Sequence, residues 1–102
     1  MIAIIEKNLS RIVELCRQHH ICRLELFGSA TRDDFDPATS DLDFLVEFAE
    51  IAPGERFSSF FNFQRALSEL LGRPVDLVEP GAMSNPYFIR RVNENRRLVY
   101  AA

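Results

Sequence analysis

The stretch at residues 41–48, Asp-Leu-Asp-Phe-Leu-Val-Glu-Phe, sets the strongest constraint on the fold. Its side chains alternate with period two, so it reads as a strand with two unlike faces. Leu42, Phe44, Val46 and Phe48 make one face wholly apolar, and Asp41, Asp43, Leu45 and Glu47 take the other. The first face has to sit on a core. The second carries two acids one strand repeat apart, about 6.5–7 Å along the chain.

Helical and strand patterns alternate around this segment. Ile2, Ile5, Leu9, Ile12, Val13 and Cys16 recur at steps of three and four, which predicts an amphipathic helix over residues 2–19. Residues 23–27 alternate and predict a short strand. Gly28-Ser29 ends it, Ser29 can cap a short helix at about residues 30–34, and residues 35–40 are turn chemistry. Phe57, Phe60, Phe61, Gln64, Leu67 and Leu71 mark a third helix that ends at Gly72. Val75-Asp-Leu-Val78, bounded by Pro74 and Pro80, is a third strand. Pro86 opens a last helix expected to carry Phe88, Ile89, Val92 and Val99. The order α-β-α-β-α-β-α predicts one α/β domain over residues 1–102, built on a small mixed sheet of three or more strands.

Size and charge remove several function classes. A chain of 102 residues holds one domain, not two. Twelve Lys and Arg against fifteen Asp and Glu, a net charge of −3, exclude a strongly basic nucleic-acid coat. No apolar run reaches the roughly 18 residues of a membrane span, and the N-terminus turns charged too early for a signal peptide. The expectation is a cytoplasmic protein with neither a membrane nor a direct nucleic-acid partner.

Cys16, His19, His20 and Cys22 could be drawn as a zinc cluster, but their spacing is not one that zinc sites reuse. Both cysteines read instead as small buried hydrophobes. The two histidines close a helix, where a cation near carbonyl groups is favourable. Four phenylalanines crowd residues 57–63. Phe57, Phe60 and Phe61 suit the buried side of a helix; Phe63 with Leu70 either forms a patch for another protein or packs under the last helix. Arg90, Arg91, Arg96 and Arg97 are expected on a solvated helix face, with contact to an acidic partner or RNA as the other reading.

Three features carry chemistry. Asp41 and Asp43 point the same way and can grip hard cations, such as a pair of Mg2+ ions. Gly28 and Ser29, at a strand-to-helix turn, can let a phosphate approach backbone N–H groups, with Arg32 one turn on. Asp76 is an acid between apolar neighbours, costly there unless paired or on metal. If its strand lies beside residues 41–48, it completes a three-carboxylate cluster.

In this order, Leu26-Phe-Gly-Ser-Ala-Thr-Arg32, Ser40-Asp-Leu-Asp-Phe-Leu-Val-Glu-Phe48 and Leu71-Gly-Arg-Pro-Val-Asp-Leu-Val78 resemble the polymerase-beta-type nucleotidyltransferase superfamily. Length and phrasing resemble its minimal nucleotidyltransferases. The resemblance covers residues 23–80 closely and the whole chain in outline. Members often have glycine after the arginine, where this chain has Asp33. The resemblance implies Mg2+-dependent transfer of AMP from ATP to a hydroxyl. Asp41 and Asp43 would hold two ions, Asp76 would hold one of them and could take the acceptor's proton, and Gly28, Ser29 and Arg32 would hold the terminal phosphates. Such proteins are commonly the antitoxin of a HEPN-domain ribonuclease toxin, adding AMP to one of its tyrosines. The rival reading is an antitoxin that neutralises its toxin by binding alone.

Overall fold

Two apolar clusters, one on each face of a single sheet, organise the chain. A computed structural model describes residues 2–28, 41–82 and 84–102. The elements are α1 (Ala3–Lys7), α2 (Leu9–Gln18), β1 (Ile21–Phe27), β2 (Leu42–Phe48), α3 (Pro53–Leu71), β3 (Val75–Val78), a 3-10 turn (Pro80–Ala82), α4 (Pro86–Glu94) and β4 (Arg97–Ala101). The strands lie in the order β3-β2-β1-β4. β1 is antiparallel to both β2 and β4, and β2 is parallel to β3. A parallel pair needs a long crossover, which α3 supplies.

The alternation expected for residues 41–48 holds. Leu42, Phe44 and Val46 are buried with Leu24 and Leu26 of β1 and Val75 and Leu77 of β3. α1, α2 and α3 cover this face through Ile5, Ile12, Cys16, Phe63, Leu67 and Leu71. On the opposite face a smaller cluster joins Phe27, Leu45 and Val92, with Val78 against it. Val92 lies on α4, so among the described residues this short helix covers part of the second face, beside the aspartates. No described helix is long and apolar enough to cross a membrane.

Four expectations are corrected. The first helix is two, because Asn8 leaves helical geometry (φ −107°, ψ 11°) and its Nδ2 donates to Ile4 O at 2.8 Å. α4 stops at Glu94, and Val99 belongs instead to a fourth strand against β1. α3 is rotated relative to the expected face. Phe63 is fully buried, while Phe57 and Phe61 are 70% and 48% exposed. At about 100° per residue Phe63, Leu67, Leu70 and Phe60 share one stripe, and Phe61 falls about 160° from Phe63. Finally, His19 packs against Phe63, ring centroids 5.9 Å apart. Burial, and then the neighbouring His20, hold its pKa below the usual imidazole value, which works against the expected cation.

The capping expected at Gly72 is present. It takes the left-handed conformation (φ 68°), and its N–H donates to Ser68 O at 2.8 Å. Asn85 caps α4, its Oδ1 accepting from the N–H groups of Tyr87 and Phe88. The short helix expected at residues 30–34 and the turn at 35–40 lie outside the described residues.

Candidate active site

Antiparallel pairing sets Phe27 of β1 opposite Asp43 of β2, and parallel pairing sets Asp43 opposite Asp76 of β3. Directly paired residues present their side chains on the same face of a sheet. Phe27, Asp43 and Asp76 therefore form a row across the face that α4 covers in part. Two residues further along their strands, Leu45 and Val78 belong to the small apolar cluster with Phe27 and Val92. The carboxylates stand at the rim of an apolar floor.

That setting is visible in the Asp43 carboxyl. Its pKa is pushed up to about 6, first by burial, then by the charge of Asp76, a hydrogen bond with the Asp76 side chain and the charge of Asp41. Asp76 and Asp41 are exposed. The expected neighbourhood of β2 and β3 is thus present, and the electrostatic influence of both other aspartates reaches Asp43.

Gly28 follows Phe27 and takes a positive φ of 77°. A Cβ there would come within 2.6 Å of Asp43 Oδ2. Backbone and carboxylate meet so closely that only glycine fits without displacement. Of the residues expected to hold phosphate, Gly28 is thus placed against Asp43; Ser29 and Arg32 lie outside the described residues, as does Asp33.

Among the described residues no group of three or more His, Cys, Asp or Glu side chains is gathered into a ready-made metal site, at the aspartates or around Cys16 and Cys22. Cys16 is buried and its thiol is pushed up to about 12 by desolvation, which suits a packed hydrophobe and not a ligand. The donor chemistry at Asp43 does fit a hard cation. It is all oxygen, it concentrates negative charge, and the repulsion from Asp76 and Asp41 that adds to burial in raising Asp43 is what a bound cation relieves.

Sequence reasoning missed Glu25. It is 5% exposed on β1, on the same face as Phe27. Arg96 grips it twice, Nε to Oε2 at 2.8 Å and Nη2 to Oε1 at 2.5 Å, and Arg23 Nε donates to Oε1 at 2.8 Å. These partners, Arg96 first, bring its carboxyl down to about 2 against the opposing effect of burial. Arg96 also donates to Asn93 Oδ1 at 2.7 Å, so it ties the last turn of α4 to the sheet. It does not lie on a solvated helix face; Arg90, by contrast, is exposed. The signal was present: Glu25 sits between Leu24 and Leu26, as Asp76 sits between Val75 and Leu77.

A groove of about 350 Å3 lies elsewhere, lined by Pro53, Arg56, Phe57, Phe60, Phe61 and Glu79. Arg56 bonds Glu79 there at 2.8–2.9 Å.

A mixed four-stranded sheet with this connectivity, helices on both faces and paired aspartates beside a glycine turn defines a nucleotidyltransferase-like domain. Residues 9–99 match the family described as nucleotidyltransferase domain, and the chain belongs to that family. A Methanocaldococcus jannaschii protein provisionally named a protein adenylyltransferase is 35% identical over 102 residues, 92% of this chain and 98% of that protein. A second protein of that organism, with the same provisional name, is 31% identical over the same coverage. Among solved structures, a protein provisionally described as a minimal nucleotidyltransferase has a TM-score of 0.72 at 29% identity, covering 90% of this chain and 89% of that one. A tri-AMPylated Shewanella oneidensis HEPN toxin in complex with MNT antitoxin matches in fold, with a TM-score of 0.63 at 21% identity, over 96% of this chain and 73% of the matched one. The chain is a nucleotidyltransferase.

Proposed function

We propose that this chain moves AMP from ATP to a tyrosine hydroxyl of a cognate HEPN-domain toxin and so acts as its antitoxin. The observation that carries the chemistry is the row of Asp43 and Asp76 as register partners, with Gly28 against Asp43. The acceptor is inferred from the relatives, which are named for adenylyl transfer to protein, and from the fold neighbour, a complex of an AMPylated toxin with its antitoxin. A further neighbour is a toxin–antitoxin complex with AMP-PNP.

In this reading Asp41, Asp43 and Asp76 hold Mg2+. When bound, Mg2+ offsets the charge on the phosphates and lowers the pKa of the acceptor hydroxyl. Gly28, with no Cβ, lets the terminal phosphates approach the turn beside Asp43, where Ser29 and Arg32 assist. The acceptor oxygen bonds to the α-phosphorus, the bond from that phosphorus to the bridging oxygen of the β-phosphate breaks, and pyrophosphate leaves. Asp76, exposed at the rim, takes the hydroxyl proton. Asp43, half-buried on the apolar floor, keeps its position through the reaction.

The test compares ATP labelled on the α-phosphate with ATP labelled on the γ-phosphate, each incubated with Mg2+, this chain and the HEPN partner. Label reaching the partner from the α-phosphate alone supports adenylyl transfer. Label from neither, despite a stable complex, supports neutralisation by binding alone.

A further inference from the structure

We propose that Phe88 is the platform on which the nucleobase of the bound nucleotide stacks; this rests on the nucleotidyltransferase reading of the site. Among the described residues, the rim of the site is short of groups that could hold a base. β2 and β3 bring carboxylates to it, and the floor behind them is the buried Phe27, Leu45 and Val92. Among the described residues, Phe88 is an exposed aromatic ring that packs on this row; its neighbour Tyr87 is 76% exposed but has no ring contact with Phe27. Phe88 packs edge-on to Phe27, ring centroids 6.1 Å apart and planes at 86°, and is still 37% exposed. Phe27 is in turn the register partner of Asp43. The ring therefore stands two side chains from the carboxylate, a span that the sugar and α-phosphate of a nucleotide can bridge.

The ring is also held in place. Asn85 fixes the first turn of α4 through the N–H groups of Tyr87 and Phe88 itself. Val92 anchors the middle of the helix in the small cluster, and the Arg96 bonds to Asn93 and Glu25 secure its end. A ring fixed by its own cap, by an edge contact on one side and by a pinned helix, with its surface open, loses little freedom when a planar base lies on it. The more exposed Phe57 and Phe61 are on α3, which covers the opposite face of the sheet.

The test separates the base from the phosphates. Binding of MgATP and of magnesium tripolyphosphate to the full chain is measured by calorimetry for wild type, Phe88→Leu and Phe88→Tyr. Leucine keeps apolar packing on Phe27 but has no π face. Loss of the stack is expected to weaken MgATP about tenfold or more in Phe88→Leu. Tripolyphosphate is expected to bind the same variant within about twofold of wild type, and Phe88→Tyr to restore ATP affinity. A purely structural role would weaken both ligands together. That result, or unchanged ATP affinity in Phe88→Leu, overturns the proposal while leaving the nucleotidyltransferase reading intact. Wild type that binds neither ligand overturns both.

Discussion

A Cβ added to Gly28 would lie 2.6 Å from Asp43 Oδ2. This contact joins the turn after β1 to the carboxylate of β2, and it makes glycine doubly necessary, since φ is 77° there. Gly28→Ala is therefore expected to cost about 1–2 kcal/mol from the backbone alone and to abolish transfer by displacing Asp43. Gly72→Ala serves as the comparison. Its φ is 68°, but nothing lies within 4 Å of the added carbon. It should lose similar stability in urea unfolding and keep its activity.

Asp43→Asn separates stability from activity. The folded pKa of Asp43, about 6, lies above the ordinary 3.8. A group raised in this way contributes stability below pH 3.8 that is lost as pH rises through about 6. At neutral pH and without divalent ions, Asp43→Asn should thus melt at or above the wild-type temperature while losing transfer. Mg2+ with ATP should raise the melting temperature of wild type and leave the variant unchanged. Equal stabilisation of both would remove Asp43 from the ion's ligands.

Glu25 predicts the opposite pH behaviour. Its carboxyl is lowered from 4.5 to about 2, chiefly by Arg96. Its contribution is present above pH 4.5 and is lost as pH falls through about 2, and it amounts to about 3 kcal/mol at neutral pH. Glu25→Gln should lower stability at pH 7 by that order and flatten the acid limb of the stability curve between those pH values. Arg96→Met, which leaves the Glu25 charge buried with Arg23 alone, should be worse than the double variant Glu25→Leu/Arg96→Met.

On α3, Phe63→Ala removes a fully buried ring and should cost about 3–5 kcal/mol. Phe61→Ser, at a ring 48% exposed that touches Phe57 and Phe60, should cost clearly less, about 1 kcal/mol. The reverse ranking in thermal unfolding would contradict the rotation of this helix.

Where one face of an element is apolar throughout, the sequence was enough to read it. Residues 41–48 alternate without a break, so the shared face of Asp43 and Leu45 followed; the neighbourhood of Asp43 and Asp76 was legible only on the condition that their strands pair, and the fold supplies that pairing. Phe-rich α3 has candidates for burial on nearly every side, and tertiary packing chose Phe63 over Phe57 and Phe61. β4 was hidden because Val92 and Val99 are seven residues apart, a spacing that also suits a continuous helix; its strand character comes from pairing with β1, far away in sequence. The Glu25–Arg96 pair spans 71 positions, and no local pattern joins two such residues. The acid between Leu24 and Leu26 marked one half of it, but only the fold supplies the other.

Intact-mass measurement of the HEPN partner, after incubation with this chain, ATP and Mg2+, tests the central claim most directly. The account predicts a gain of about 329 Da for each AMP added, lost when Asp41 and Asp43 are both replaced by alanine or when EDTA removes the metal. An unchanged partner mass in a stable complex with the wild-type chain would contradict it.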